Sequence, residues 1–450
     1  MSRKKVSRRR FVGDVAAAGL TFTIVPRHVL GGTGYTAPSD IPSVAAIGVG
    51  GKGRSDIDGI RDAGGAITAI CDVDWDYAHD AFIHYPKATR WRDYREMFDK
   101  AGKSIDAVTI ATPDHSHAAA SILALRNKKA VYCQKPLAHS LGEVRAVMAE
   151  AKKVPAIATQ MGNQGHAGEG TRQIREWVEA GAIGPVREVH YWTNRPIWPQ
   201  GIDRPVQAYN PPPSLDWNLW IGPAPERPYA PAYAPFSWRG WWDFGCGALG
   251  DMACHGMDAA FWALDLGYPR RIEAEATTWH AETAPKASRI TYWFPAKGNR
   301  GEIKVVWRDG GIWPPKPDIL GPDDPWPPED IGGQMWVGDS GALLAGMYGE
   351  DPKLLDAAKD AAIRANPPAK KYPRSPGVYA EWIQAITGKG PAPMSSFDGH
   401  AGHLTEMVLL GNLAIRSERV VELDPATGAV KNLNLPPEMI TSPYRAGWTL

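Results

Sequence analysis

The stretch Pro42-Ser43-Val44-Ala45-Ala46-Ile47-Gly48-Val49-Gly50-Gly51-Lys52-Gly53 decides the architecture of this 450-residue chain. Residues 42–49 form an apolar run of strand length, which passes into a glycine-rich turn and then into helical spacing over 55–63. Gly48 permits the tight turn, Gly50 removes a side chain where backbone must approach a ligand, and Gly53 lets helix and sheet pack closely. A helix N-terminus behind such a turn offers N–H groups to phosphate. A second strand over 66–71 ends at Asp72, 19 residues beyond Gly53. There a carboxylate can accept ribose hydroxyls, which favours NAD over the 2′-phosphate of NADP. Lys52 and Arg54 leave NADP open.

Outward from this unit the alternation continues. Strands are expected at 107–111, 130–133 and 155–160, with helices at 116–126 and 141–152 between them. That rhythm predicts an α/β Rossmann domain with a doubly wound parallel sheet over 41–165. After Gly165 a helix (169–180) precedes a strand (186–194), and 271–280, 288–296 and 301–308 alternate polar and apolar as antiparallel strands do. Helices are expected from near Asp251, at 377–387 and at 399–416, and a short strand at 420–423. Residues 166–450 thus read as an α+β domain with a large, mostly antiparallel open sheet that binds substrate and mediates oligomerisation. Residues 1–40 read as a signal and linker.

Net charge is +1, so nucleic-acid binding has no electrostatic support. No run beyond the N-terminus is apolar enough to span a membrane. Cys71, Cys133, Cys246 and Cys254 show no metal-site spacing and read as free thiols, although a Cys246–Cys254 bridge would be compatible with export. Forty prolines cluster at 196–235 and 314–328. Loops of that length are usually lids or assembly arms. The arms and the large sheet suggest a homo-oligomer, a dimer or tetramer.

Ser7-Arg8-Arg9-Arg10-Phe11-Val12, with Lys4 and Lys5 before it and a mildly apolar run over 12–25 behind it, reads as a twin-arginine export signal. The competing reading is a basic disordered N-terminus. The twin-arginine route carries folded proteins, which predicts an exported or periplasmic protein that leaves the cytoplasm with its cofactor bound.

Three further motifs carry chemistry. Thr112-Pro113-Asp114-His115-Ser116-His117 and Gln134-Lys135-Pro136 stand at strand ends, where a doubly wound sheet binds ligand. Asp251 and His255, in Gly250-Asp251-Met252-Ala253-Cys254-His255, share one helix face. Asp251 also suits a helix cap. Two ligands are too few for a metal, and none is expected. His115 and His117 either satisfy backbone groups or touch a ligand. Asn163-Gln164-Gly165-His166 at the domain junction suits a hydroxyl-rich ligand, or is a plain polar turn. Trp238, Arg239, Trp241, Trp242 and Asp243 suit a sugar, although tryptophans more often pack in cores.

With these motifs the chain, over about 42–416, resembles the glucose–fructose oxidoreductase, inositol dehydrogenase and rhizopine catabolism (Gfo/Idh/MocA) family. The resemblance implies oxidation or rearrangement of sugars and polyols with tightly held NAD or NADP. It implies that Lys135 and His255 flank the reacting hydroxyl and that Asp251 binds substrate or orients the relay. It also implies a cofactor site at Gly48, Gly50, Lys52, Gly53, Arg54, Asp72, Thr112, Asp114, His117, Gln134, Lys135 and Gln164. Asn163, His166, Trp238, Arg239 and Trp241 are the expected carbohydrate contacts. A neutral imidazole can take the hydroxyl proton and a lysine can stabilise the alkoxide. The family's Glu-Lys-Pro is Gln134-Lys135-Pro136 here, which removes a carboxylate from beside Lys135.

An exported enzyme must recharge its cofactor in place. The first expectation is therefore an NAD(P)-dependent sugar, polyol or glycoside oxidoreductase. The second is redox-neutral glycoside cleavage through a transient 3-keto sugar, although the Tyr-x-His-Gly pattern of family glycosidases is absent. A non-catalytic glycan-binding protein on the same fold is the third, supported by Gln134 alone. A cytoplasmic enzyme with exchangeable NAD remains if the N-terminal signal is false.

Overall fold

The computed structural model describes residue 37 and residues 40–318, 320–323, 326 and 332–450. The export motif lies outside them. Residues Pro42–Leu450 cluster as one compact unit that contains both expected sheets.

The first sheet has the order β3-β2-β1-β4-β5-β6 and every pairing is parallel. Its strands are β1 (Ser43–Ile47), β2 (Ala66–Cys71), β3 (Thr89–Trp91), β4 (Ala107–Ile110), β5 (Ala130–Cys133) and β6 (Thr159–Met161). Helices Lys52–Asp62, His117–Arg126 and Leu141–Lys153 cross between them. β4 and β5 are buried along their whole length, as a sheet covered on both faces requires. Strand order reverses between β1 and β4, and ligands bind at such a switch point. β6 starts later than expected because residues 154–157 form a turn, with the Ile157 N–H donating to the Val154 carbonyl.

The second sheet has the order β13-β12-β11-β7-β10-β9-β8-β14. It comprises β7 (Val186–Thr193), β8 (Arg271–Ala276), β9 (Ser288–Phe294), β10 (Ile303–Arg308), β11 (Gly332–Gly338), β12 (Gly341–Gly346), β13 (Lys353–Leu354) and β14 (Val421–Glu422). Among the described residues of this sheet, only β7 and β10 pair in parallel. β11 and β12 were not expected: Gly-Gly-Gln-Met-Trp-Val-Gly and Gly-Ala-Leu-Leu-Ala-Gly have little β-propensity. Burial overrides that. β11 is central, paired with β7 on one side and β12 on the other, and Trp336 is fully buried.

Helix His400–Ser417 packs on helix Leu141–Lys153, on β8 and on helix Gly247–Gly256, so one continuous core joins the two sheets. The first proline-rich segment builds a separate core from Leu215, Trp220, Tyr229 and Tyr233, together with Trp241 and Phe244 just beyond it. In the second, Trp313 and Trp326 pack on Trp192, Met335 and Leu344 of the second sheet. All four cysteines are free and buried. No helix among the described residues is long and apolar enough to cross a membrane.

Candidate active site

A cavity of about 480 Å³ opens at the carboxyl ends of β1, β2, β4 and β5. One end is lined by Gly48, Gly50, Gly51, Lys52 and Asp72. Gly48 has φ +77°, and a Cβ there would stand 2.8 Å from the Ala111 carbonyl oxygen. A Cβ on Gly53 would strike the Gly48 carbonyl oxygen. Gly53 therefore packs helix on strand and does not line the cavity. Asp72 is buried, and its Oδ2 accepts from the Val49 N–H at 2.8 Å, which ties β2 to the glycine turn. Burial raises its pKa above the usual carboxylate value against the pull of these backbone N–H groups.

Arg54 does not reach the cavity. It is engaged by Asp58 and Asp80 on the helix's outer side. Lys52 pairs with the fully buried Asp56. Tyr379 Oη and Gln134 Nε2 also donate to Asp56, at 2.7 and 2.8 Å. Gln134 thus has a partner that a glutamate would repel, which accounts for its departure from the family's Glu-Lys-Pro.

The other end of the cavity holds the ionic chemistry. Lys135, after β5, donates from Nζ to the Asp251 carbonyl at 2.6 Å and to Asp251 Oδ1 at 2.9 Å. Arg239 Nε donates to the same carboxylate oxygen at 3.2 Å. Burial pushes the Asp251 carboxyl up, but Lys135 and Arg239 outweigh it and hold it at about 2. Asp251 is not a cap, because its helix begins at Gly247. His255 lies one turn on, with Nδ1 buried and unpartnered and its ring 4.6 Å from that of Tyr348. Burial first, then Lys135, brings its pKa down to about 3, so the imidazole is neutral and keeps a proton far less well than the free side chain. Asp114 accepts from the Cys246 N–H at 3.1 Å, and burial raises its carboxyl to about 7.

Thr112, Gln164 and Trp238 line the cavity. His117, Asn163, His166 and Trp241 do not. His117 Nε2 and Nδ1 lie 2.9 and 2.7 Å from the carbonyl oxygens of Thr112 and Pro136, so its ring links two loops of the site. His115 is held among the carbonyls and rings of Trp220 and Phe244. Asn163 and His166 turn away to Asp258, and His166, Asp258 and His400 form a group with metal-ligand spacing. Trp241 is fully buried, with its indole N–H donating to the Ala232 carbonyl. The first proline-rich segment lines the cavity with Ile197, Trp198, Leu219 and Trp220, and Phe236 directly after it does the same.

Sequence reading missed Tyr77, Arg92, Arg195, Tyr348 and Trp448, which also line the cavity. Tyr77 closes over Gly50 and Gly51. Arg195 follows β7 and donates to the Asn194 side chain at 2.8 Å. Tyr348 follows the unexpected strand β12. Only the aromatic residue at the strand end hinted at it.

Residues 43–161 match the model of an oxidoreductase family with an NAD-binding Rossmann fold, named for Gfo, Idh and MocA. Residues 173–301 match the same family's C-terminal alpha/beta domain. Among curated relatives, an inositol 2-dehydrogenase of Salmonella paratyphi B is 27% identical over 129 residues, 28% of this chain and 38% of the relative. Levoglucosan dehydrogenase of Pseudarthrobacter phenanthrenivorans is 29% identical over 214 residues, 47% of this chain and 46% of the relative. The chain thus spans less than half the length of these relatives. A solved levoglucosan dehydrogenase in complex with NADH and levoglucosan shares the fold, with a TM-score of 0.58 at 19% identity over 85% of this chain and 99% of that one. The two family matches, together covering more than half of the sequence, show that this chain belongs to the Gfo/Idh/MocA oxidoreductase family.

Proposed function

We propose that the protein is an NAD-dependent oxidoreductase that acts on a hydroxyl of a sugar, polyol or glycoside. One observation carries this reading: Lys135, Asp251 and His255 share a cavity with the glycine turn and Asp72. The glycine positions that a Cβ would block, together with the buried Asp72, fit the pyrophosphate and ribose of a dinucleotide. Asp72 favours NAD, and Arg54, turned outward, is not placed to meet the 2′-phosphate of NADP.

When bound, the nicotinamide supplies the hydride acceptor. Lys135, fixed by Asp251, holds positive charge where a hydroxyl becomes an alkoxide. His255, neutral and lining the cavity, would take the hydroxyl proton as the hydride leaves the carbinol carbon and would release it to water, since its surroundings disfavour the imidazolium. Asp251 anchors both Lys135 and Arg239. Trp238, Trp198 and Arg239 offer aromatic faces and hydrogen bonds to a pyranose. The Arg239 guanidinium itself lies over the Trp238 ring at 4.3 Å.

Export by the twin-arginine route is part of this proposal, as are tight cofactor retention and assembly as a dimer or tetramer. The lid of aromatic residues and Trp448 support retention by covering the cavity. Absorbance at about 340 nm, followed on undialysed protein with a panel of sugars and glycosides, tests the reading. Reduction of bound cofactor by one sugar class is expected, with a fall in turnover of at least ~10²-fold in Lys135→Ala and cofactor still bound. Protein that binds neither NAD nor NADP would overturn it. Glycoside cleavage without net reduction would replace it by the redox-neutral route. Cell fractionation decides export.

A further inference from the structure

Behind the cavity, three distant segments meet at one buried carboxylate. Asp258, the first residue of helix Asp258–Ala263, is 1% exposed. His166 Nδ1 lies 2.8 Å from its Oδ1, and His400 Nε2 lies against the same oxygen. The two imidazole rings stack with centroids 4.0 Å apart. Asn163 Nδ2 donates to the other carboxylate oxygen at 3.2 Å, and Ser395 Oγ donates to Asn163 Oδ1 at 2.7 Å. The ion pairs of Asp258 among the described residues are with these two histidines, and none is with Lys or Arg.

A buried carboxylate without a strong counter-charge is costly. Here the donor atoms of two imidazoles and the carboxylate lie within 4.8 Å of one another. An amide orients the carboxylate from outside and a hydroxyl orients the amide, which is the layered support that metal ligands receive. Two nitrogens and one oxygen suit zinc and its first-row neighbours, with a fourth position left for water.

We propose that His166, Asp258 and His400 bind one first-row divalent metal ion of the zinc class. None of the three lines the cavity, so the ion acts as a structural tie. His166 shares a turn with Gln164, and Asp258 follows His255 by three residues, so the ion braces the cavity wall from behind. The site is independent of the hydride chemistry.

The experiment uses full-length protein stripped with a chelator and then titrated with Co²⁺ and Zn²⁺. Uptake of one Co²⁺ per chain with a visible ligand-field band is expected, with displacement by Zn²⁺ and a rise in melting temperature. His400→Ala should weaken uptake at least ~100-fold. If that variant does not fold, X-ray absorption at the zinc edge of the wild-type protein should count two imidazoles in the first shell. Failure of the wild-type chain to take up either ion, uptake unchanged in folded His400→Ala, or a bound zinc without two imidazoles would each overturn the proposal.

Discussion

At Gln134 a single amide decides whether a buried carboxylate is tolerated. Asp56 is fully buried and takes hydrogen bonds from Gln134, Tyr379 and Lys52. Gln134→Glu would restore the family's residue and set two carboxylates against each other. Chemical denaturation should show a loss of about 2 kcal/mol, recovered when Asp56→Asn is added. A stable single variant would show that the pairing with Asp56 does not govern the exchange. Asp114 offers a test with pH. Its carboxyl is raised to about 7, above its ordinary value of 3.8. Between those values the folded state holds a proton that the unfolded chain releases, so this group makes stability fall as pH rises. Asp114→Asn keeps an acceptor for the Cys246 N–H and removes the titration. Its stability should match the parent near pH 4 and exceed it above pH 7, by on the order of 4 kcal/mol. Equal pH profiles for the two proteins would refute the raised carboxyl.

Among the elements, the turn from β1 into helix Lys52–Asp62 was readable because each glycine has a separate steric reason to be there. Gly53→Ala brings a methyl group onto the Gly48 carbonyl, which is backbone and cannot rotate away. The helix must shift outward, and NAD affinity measured by calorimetry should fall at least ~10-fold, with a stability loss of about 1–3 kcal/mol. Undiminished affinity would mean that the helix accommodates the methyl. The parallel strands β1, β2, β4 and β5 were equally legible, since a strand buried on both faces is written as an unbroken apolar run. Lys135, Asp251 and His255 were legible because strand ends and an i,i+4 spacing are local properties. What stayed hidden is non-local. β11 and β12 owe their form to neighbours in the sheet, so Tyr348, carried just beyond β12, had no visible reason to approach His255. The contact of His166 with Asp258 and its stacking on His400, which stands 234 positions away, could not be read from local sequence. Arg54 misled because basic residues near a phosphate turn look alike until the acids on the helix's outer side are placed.

Over the whole molecule, the cavity is lined by segments that follow strands of both sheets. Trp448 lines it, with the Arg95 guanidinium 4.0 Å from its ring centre and Arg445 Nε donating to the Gly222 carbonyl at 2.6 Å. This strap joins the proline-rich lid to the β3 side of the first sheet. Trp448→Ala should speed cofactor dissociation at least ~10-fold, followed by the loss of 260/280 nm absorbance on rapid gel filtration. Hydride-transfer rates in a single turnover should stay within about 3-fold, because Lys135 and His255 are untouched. Dissociation as slow as in the parent would assign retention to the lid alone.

The strap has a consequence for how the protein acquires its cofactor. Gly48 and Trp448 border one cavity although four hundred positions separate them. Contacts between such remote positions close a long loop and raise the contact order, which slows folding. On the proposed function, a dinucleotide would meet its whole site only when both ends of the chain are in place, and by mass action it would stabilise that state over any in which the C-terminal segment is undocked.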